Sequence, residues 1–214
     1  MARQFDREMQ AVLEGLRAGG EKPGLLMHVC CAPCSSAVLE RLHAAFQVTV
    51  FFDNPNMDSQ EEFERRLLET CRLVQETGWA AAIVHSPYAP ETWREAVRGL
   101  EQEPEGGRRC EACFVLRLKN AAREAKVRGC AYFTTTLTLS PRKDAALLNR
   151  LGEEAGKEAG VPFLASDFKK RGGYPRSIQL SRLHSLYRQD YCGCVFSKIE
   201  RGRQRESCKQ GKPD

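Results

Sequence analysis

The chain has 214 residues, ten of them cysteine, with 42% hydrophobic and 29% charged residues and a formal net charge of +5. These proportions belong to an ordinary globular protein and exclude a disordered tail, a fibrous repeat and a disulfide-stapled mini-domain. No apolar run approaches the roughly 20 residues that a membrane-crossing helix needs, and residues 1–10 carry Asp6 and Glu8 without an apolar core, unlike a signal peptide. A cytoplasmic location with no membrane partner is therefore expected.

In chain order, Phe5, Met9, Val12, Leu13 and Leu16 recur at helical spacing and Gly19-Gly20 ends that helix. Residues 24–29 read as a buried strand, and Pro33 opens a helix to about residue 46. Residues 47–52 are β-branched and aromatic, a second strand, and Asn54-Pro55-Asn56 is a turn. Ser59 with Glu62 makes a capping box for a helix to residue 77. A strand over 80–84, a helix over 91–100 and a Gly/Glu-rich break at 101–107 follow. Then come a helix over 110–128, a strand over 131–136, a helix capped by Ser140-Pro141 running to 158, a fifth strand over 161–165 and a last helix over 176–189.

Strands alternating with helices give an α/β fold: a single domain over residues 1–197 with a mostly parallel five-stranded sheet flanked by helices. Ligands of such sheets bind beyond the carboxyl ends of the strands. Those ends hold Cys30-Cys31, Asn54 and Asn56, Thr134-Thr135-Thr136, and Asp167. Residues 198–214 hold six basic residues against three acidic ones. They read as a mobile basic tail, or as a contact to nucleic-acid phosphates.

Clustered cysteines in a reducing compartment point to metal or redox chemistry rather than to disulfides. Cys30, Cys31 and Cys34 form one group, Cys110 and Cys113 a second, Cys192 and Cys194 a third. Cys34 lies in the first turn after Pro33, and Cys110 and Cys113 open their own helix, positions that should lower thiol pKa values and favour the thiolates that ligate metals. Seven thiols exceed the four that one zinc tetrahedron or one cubane cluster takes, so two metal centres, or one centre plus redox thiols, are expected. Cys71 and Cys130 read as small core residues, Cys208 as exposed, and His28 as a core histidine. Asp167 reads either as a ligand or acid, or as a helix N-cap. Tyr174, Tyr187 and Tyr191 could stack on a base, donate a proton, or simply pack.

The segments 25–35 (LLMHVCCAPCS), 109–118 (RCEACFVLRL), 133–141 (FTTTLTLSP), 167–177 (DFKKRGGYPRS) and 187–197 (YRQDYCGCVFS) resemble the QueH type of epoxyqueuosine reductase over roughly residues 24 to 197. The resemblance implies reductive removal of the epoxide oxygen, as water, from the modified guanine at the wobble position of tRNA. It also implies a 4Fe–4S cluster and a nearby mononuclear iron acting as Lewis acid, with an unidentified electron donor as a further partner. Carried over by motif, the ligands are Cys30, Cys31, Cys34, Cys110, Cys113, Cys192 and Cys194, with Asp167 as a candidate addition. One division gives the cluster Cys31, Cys110, Cys113 and Cys192, and the second metal Cys30, Cys34 and Cys194. Asp167, Tyr174 and Tyr191 are the expected proton sources. Asn54, Asn56, Thr134, Thr135, Thr136 and Arg188 are the expected substrate contacts. Asp53 and Phe114 stand where the family usually has tyrosines.

Two other readings stand beside this one. Cys31 and Cys34 form a CxxC at a helix start, as in thiol–disulfide oxidoreductases. The cysteine pairs and basic tail would also suit a zinc-stabilised RNA-binding domain.

Overall fold

Residues 24–29 are almost unbroken apolar sequence between Pro23 and the first cysteines, which suits a strand buried on both faces. In the computed structural model, which describes residues 3–210 and the side chains of residues 3–207, they form β1 (Gly24–Val29) at the centre of a four-stranded sheet. The order is β3 (Ala82–His85), β2 (Gln47–Phe52), β1, β4 (Tyr132–Thr135), and every pairing is parallel. Alternate β1 side chains enter two separate cores. Leu25, Met27 and Val29 pack with α1 (Phe5–Gly19), α2 (Ala32–Leu42) and α3 (Gln60–Thr77). Leu26 packs on the other face with α5 (Arg108–Val127) and α6 (Ala145–Ala159).

The chain builds outward from β1 to β2 to β3, then returns to lay β4 against the free edge of β1. The strand order therefore reverses between β1 and β4, the place where a parallel sheet opens a crevice for a ligand. Cys30 follows β1 and Thr136 follows β4, so both stand at that crevice.

Four expected elements differ. The sheet has four strands, not five: residues 161–165 make a single bridge, Phe133 to Phe163. Pro162 has no N–H to extend a ladder, and the Ser166 N–H donates instead to Asn149 Oδ1 (2.8 Å). The helix expected from Ser140-Pro141 starts later, capped by Asp144, whose Oδ1 accepts from the Ala146 N–H at 2.7 Å. Before it, residues 136–139 form a 3-10 turn and residues 140–143 a loop. The last expected helix is α7 (Gly173–Leu183), and the positive φ of Ser185 turns the chain so that residues 187–191 form a loop. Finally, the boundary expected after residue 197 falls inside α8 (Val195–Gln210). The basic segment expected as a mobile tail continues that helix to residue 210, while residues 211–214 lie outside the described residues, as does the Cys208 side chain. The fourth helix in chain order, α4 (Pro90–Ala96), precedes α5. Among the described residues no helix is long and apolar enough to cross a membrane.

Candidate metal centre and substrate cavity

Cys31 is the residue before α2, in extended backbone, and Pro33 pre-sets the first helical turn. This turn folds Cys34 back over the end of β1. The Sγ atoms of Cys30, Cys31 and Cys34 consequently lie within 4.8 Å of one another, with Cys30 and Cys31 3.8 Å apart. Thr136 Oγ1 approaches Cys30 Sγ at 3.9 Å from the other side of the crevice. The trio puts Cys31 with Cys30 and Cys34, across the division that set it with Cys110, Cys113 and Cys192.

The other four cysteines border the same region. Cys113 and Cys194 pack together with Trp93 and Val97, Cys110 sits in the first turn of α5, where its sulfur accepts from the Gly106 N–H at 3.2 Å, and Cys192 lines one cavity with Cys30 and Cys34. Gly193 separates Cys192 from Cys194 at φ 129°, and a Cβ there would stand 2.7 Å from Met57 Sδ. Only glycine supplies both the conformation and the room.

The expected fall of the thiol pKa values at helix starts fails for Cys34, Cys110 and Cys113, whereas Cys30, ahead of α2, does fall. Its thiolate accepts hydrogen bonds from Cys31 and Cys34, and Arg117 and Lys143 add to the effect, pulling it well below the usual thiol value. Cys30 in turn drives Cys31 up, to about 12, and Cys34 up as well. Burial pushes Cys113 up to about 12 and raises Cys110 and Cys194. Loss of hydration outweighs the helix dipole at these positions.

Three cations offset the sulfurs. Arg66 on α3 is 1% exposed; its Nε donates to Glu62 Oε1 at 2.6 Å, its Nη1 to the Cys192 carbonyl at 3.1 Å, and its Nη2 has no partner. Arg117 on α5, equally buried, donates to Asn54 Oδ1 at 2.5 Å and to the Asp53 carbonyl at 3.3 Å. Lys143 lines the cavity from the loop before α6, and the nearby Cys192, Cys30 and Cys34 raise its pKa although burial opposes them. Seven sulfur donors beside two buried arginines and a half-buried lysine suit an anionic metal–thiolate group, because the cations compensate charge that a low-dielectric site would otherwise reject. The donor set fits iron or an iron–sulfur cluster.

The cavity measures about 330 Å³, near the lower end of small-molecule sites. Cys30, Cys34, Thr136, Lys143, Tyr174, Arg188, Tyr191 and Cys192 all line it. The Tyr191 hydroxyl donates to Asp58 Oδ1 at 2.8 Å, whereas Arg188 donates to Ser181 Oγ at 2.9 Å. The other expected residues lie beside the cavity rather than on its wall. Asn54 donates to the Val29 carbonyl (3.0 Å), Thr134 to the Leu164 carbonyl (3.0 Å), and Asn56 is buried. Thr135 bonds His28 Nδ1 at 2.7 Å while His28 Nε2 donates to the Asp53 carbonyl (3.2 Å). Burial and Arg117 push His28 down to about 3, so it is a neutral core histidine. Asp167 pairs with Lys169 (3.0 Å) and is not a helix N-cap, since α7 begins at Gly173. Tyr187 packs under the Arg65 guanidinium, 3.5 Å from its ring centre.

Sequence reasoning missed Arg66, Arg117 and Lys143. The two arginines did leave a signal: each interrupts the apolar stripe of its helix, Arg66 between Phe63 and Leu73, Arg117 between Phe114 and Leu118.

A family model described as epoxyqueuosine reductase QueH matches residues 25–200. A protein named epoxyqueuosine reductase QueH from Streptococcus pyogenes is 40% identical over 202 residues, covering 92% of this chain and 79% of that protein. Those of Staphylococcus epidermidis (38% over 204 residues, 92% and 86% covered) and Thermotoga maritima (35% over 180 residues, 83% and 91% covered) bear the same name.

Proposed function

The chain belongs to the QueH family of epoxyqueuosine reductases, and from that premise we propose that it reduces the epoxide of epoxyqueuosine within tRNA, at the wobble position, in the cavity between β1 and β4. Family membership displaces the dithiol oxidoreductase and zinc-domain readings. The observation that carries the placement is the Cys30–Cys31–Cys34 sulfur trio opening directly onto a cavity of nucleoside size.

The trio, with a ligand position left open, would hold a mononuclear iron. Cys110, Cys113, Cys192 and Cys194 would hold a 4Fe–4S cluster, which takes four thiolates. Bound there, these groups supply single electrons and Lewis acidity toward the epoxide C–O bond. The chain's own residues do the rest. Reduction to the alkene consumes two electrons and two protons and releases water, so the cavity needs a proton donor. Tyr191 already donates to Asp58, and Asp167 pairs with Lys169 away from the wall. Tyr174 is the remaining expected donor lining the cavity. Thr136 and Arg188 would orient the substrate's hydroxyl and phosphate groups, while Lys143, Arg66 and Arg117 hold the positive charge that retains the anionic centre. Asn54, Thr134 and Thr135 would act one step back, by fixing Arg117, β4 and His28.

The test is metal and sulfide analysis of anaerobically prepared protein, coupled to turnover of epoxyqueuosine-containing tRNA by Cys30→Ser, Cys34→Ser and Cys194→Ser variants. Each variant is expected to lose turnover by more than about 100-fold. Full turnover in all three would overturn the assignment.

A further inference from the structure

The basic residues of α8 are not scattered over a solvated helix. Arg201 lines the cavity together with Cys192, Arg188 and Arg142. Its Nε lies 3.3 Å from Asp190 Oδ2, and Arg205 pairs with that same oxygen. One carboxylate therefore holds two guanidinium groups, 34% and 62% exposed, one helical turn apart, of which Arg201 is the one lining the cavity. Arg142 on the opposite rim faces Glu105 at 3.9 Å. Arg142, Lys143, Arg188 and Arg201 line this cavity against Glu105 and Asp190, an excess of two positive charges. The distance of Arg201 from the sulfurs is fixed, because α8 starts directly after Cys194 and the Ser197 N–H bonds Cys194 Sγ at 3.4 Å.

We propose that Arg201 and Arg205 form a phosphate-binding rim for the RNA strand flanking the inserted nucleotide, with Asp190 holding both side chains in place until phosphates replace its carboxylate. This inference rests on the reductase reading, in which the modified nucleoside enters the cavity while its neighbouring phosphates stay outside. Residues four apart on a helix rise about 6 Å along the axis, a step comparable to the phosphate repeat of an extended strand. Arginine's planar fork suits phosphate oxygens, and both groups are already ordered before RNA arrives. Tyr174 and Tyr191 supply ring faces inside the opening.

The experiment measures binding of unmodified tRNA with guanine at the wobble position, as a function of salt, with no turnover required. The double variant R201A/R205A is expected to bind about tenfold more weakly per lost guanidinium. Its log–log salt slope should flatten by about 1.4, two single-strand phosphate contacts at roughly 0.7 each. D190N, which removes only the competing charge, is expected to bind tRNA more tightly than the wild type, a gain that a misfolded variant cannot produce. Unchanged affinity and slope in R201A/R205A, or weaker binding by D190N, would overturn the proposal. Failure of the reductase reading looks different: the wild type would show no turnover while these binding shifts persisted.

Discussion

At the scale of single residues, what distinguishes this site from an ordinary cysteine cluster is the buried positive charge around it. Lys143 is the clearest probe, because it reaches the cavity from a loop rather than from the buried face of a core helix. Lys143→Met keeps the length and apolar stem of the side chain but removes the ammonium near Cys30, Cys34 and Cys192. It is expected to weaken retention of the proposed metal centre by about 10- to 100-fold, the usual effect of losing a supporting group next to metal ligands. Competition with a chelator measures this, and retention equal to wild type would dismiss the role. Arg117 is a harsher probe, since its loss also strands Asn54 Oδ1 in the core. The cysteines themselves could be picked out from their grouping and their places at strand ends and helix starts. The cations could not be placed that way: Lys143 needed the true start of α6, and the arginines needed knowledge of which helical faces meet. The ionisation of the thiols was misjudged for a related reason, because helix position is local and burial is not.

At the scale of elements, α6 decides how close its neighbours come. Gly156 lies where an added Cβ would sit 2.6 Å from the Val161 carbonyl oxygen and 3.2 Å from the Phe133 ring. Backbone cannot yield cheaply there, so Gly156→Ala is expected to destabilise the fold by about 1–3 kcal/mol, read as a lower urea midpoint. Gly15 in α1 has nothing within 4 Å, and Gly15→Ala should instead stabilise by about 0.5–1 kcal/mol through helix propensity. Opposite-signed outcomes from one substitution type separate packing from propensity; two stabilising results would contradict the tight α6 contact. Strands β1 and β2 were readable residue by residue, because continuous apolar runs bounded by turns have no other use. The segment 161–165 has the same composition but not the same fate. Its pairing is cut short by a proline and by the Asn149 side chain, which captures the Ser166 amide from α6. Such a side-chain competitor, 17 residues away in sequence, leaves no periodic trace. The start of α6 was misplaced for a simpler reason, since Ser140-Pro141 and Asp144 are both good helix openers and only the 3-10 turn before them favours Asp144.

At the scale of the whole molecule, α1 packs across one flank of the sheet. α1 buries Met9 and Leu13 completely against the β1 face, yet it lies outside the matched family region, which begins at residue 25. Its polar attachment runs through Asp6, which accepts from Arg41 of α2 at 2.5 Å and from Arg171 before α7 at 2.8 Å. Burial pushes the Asp6 carboxyl up, but the hydrogen bonds and charges of Arg171 and Arg41 outweigh it, and the net shift is below the ordinary value of 3.8. A carboxyl that titrates lower in the folded than in the unfolded chain adds stability that is complete above the unfolded value and disappears as pH falls through the folded one. Asp6→Asn keeps the shape and one acceptor but not the charge, so at pH 7 it is expected to cost about 1 kcal/mol. The gap between wild type and variant should stay constant from pH 7 to about 5 and close progressively below pH 4, where the wild-type carboxyl becomes neutral too. Urea midpoints of both proteins across that range measure it, and either no gap at pH 7 or a gap that persists unchanged at pH 3 would show that the ionised Asp6 carboxylate is not what clamps α1.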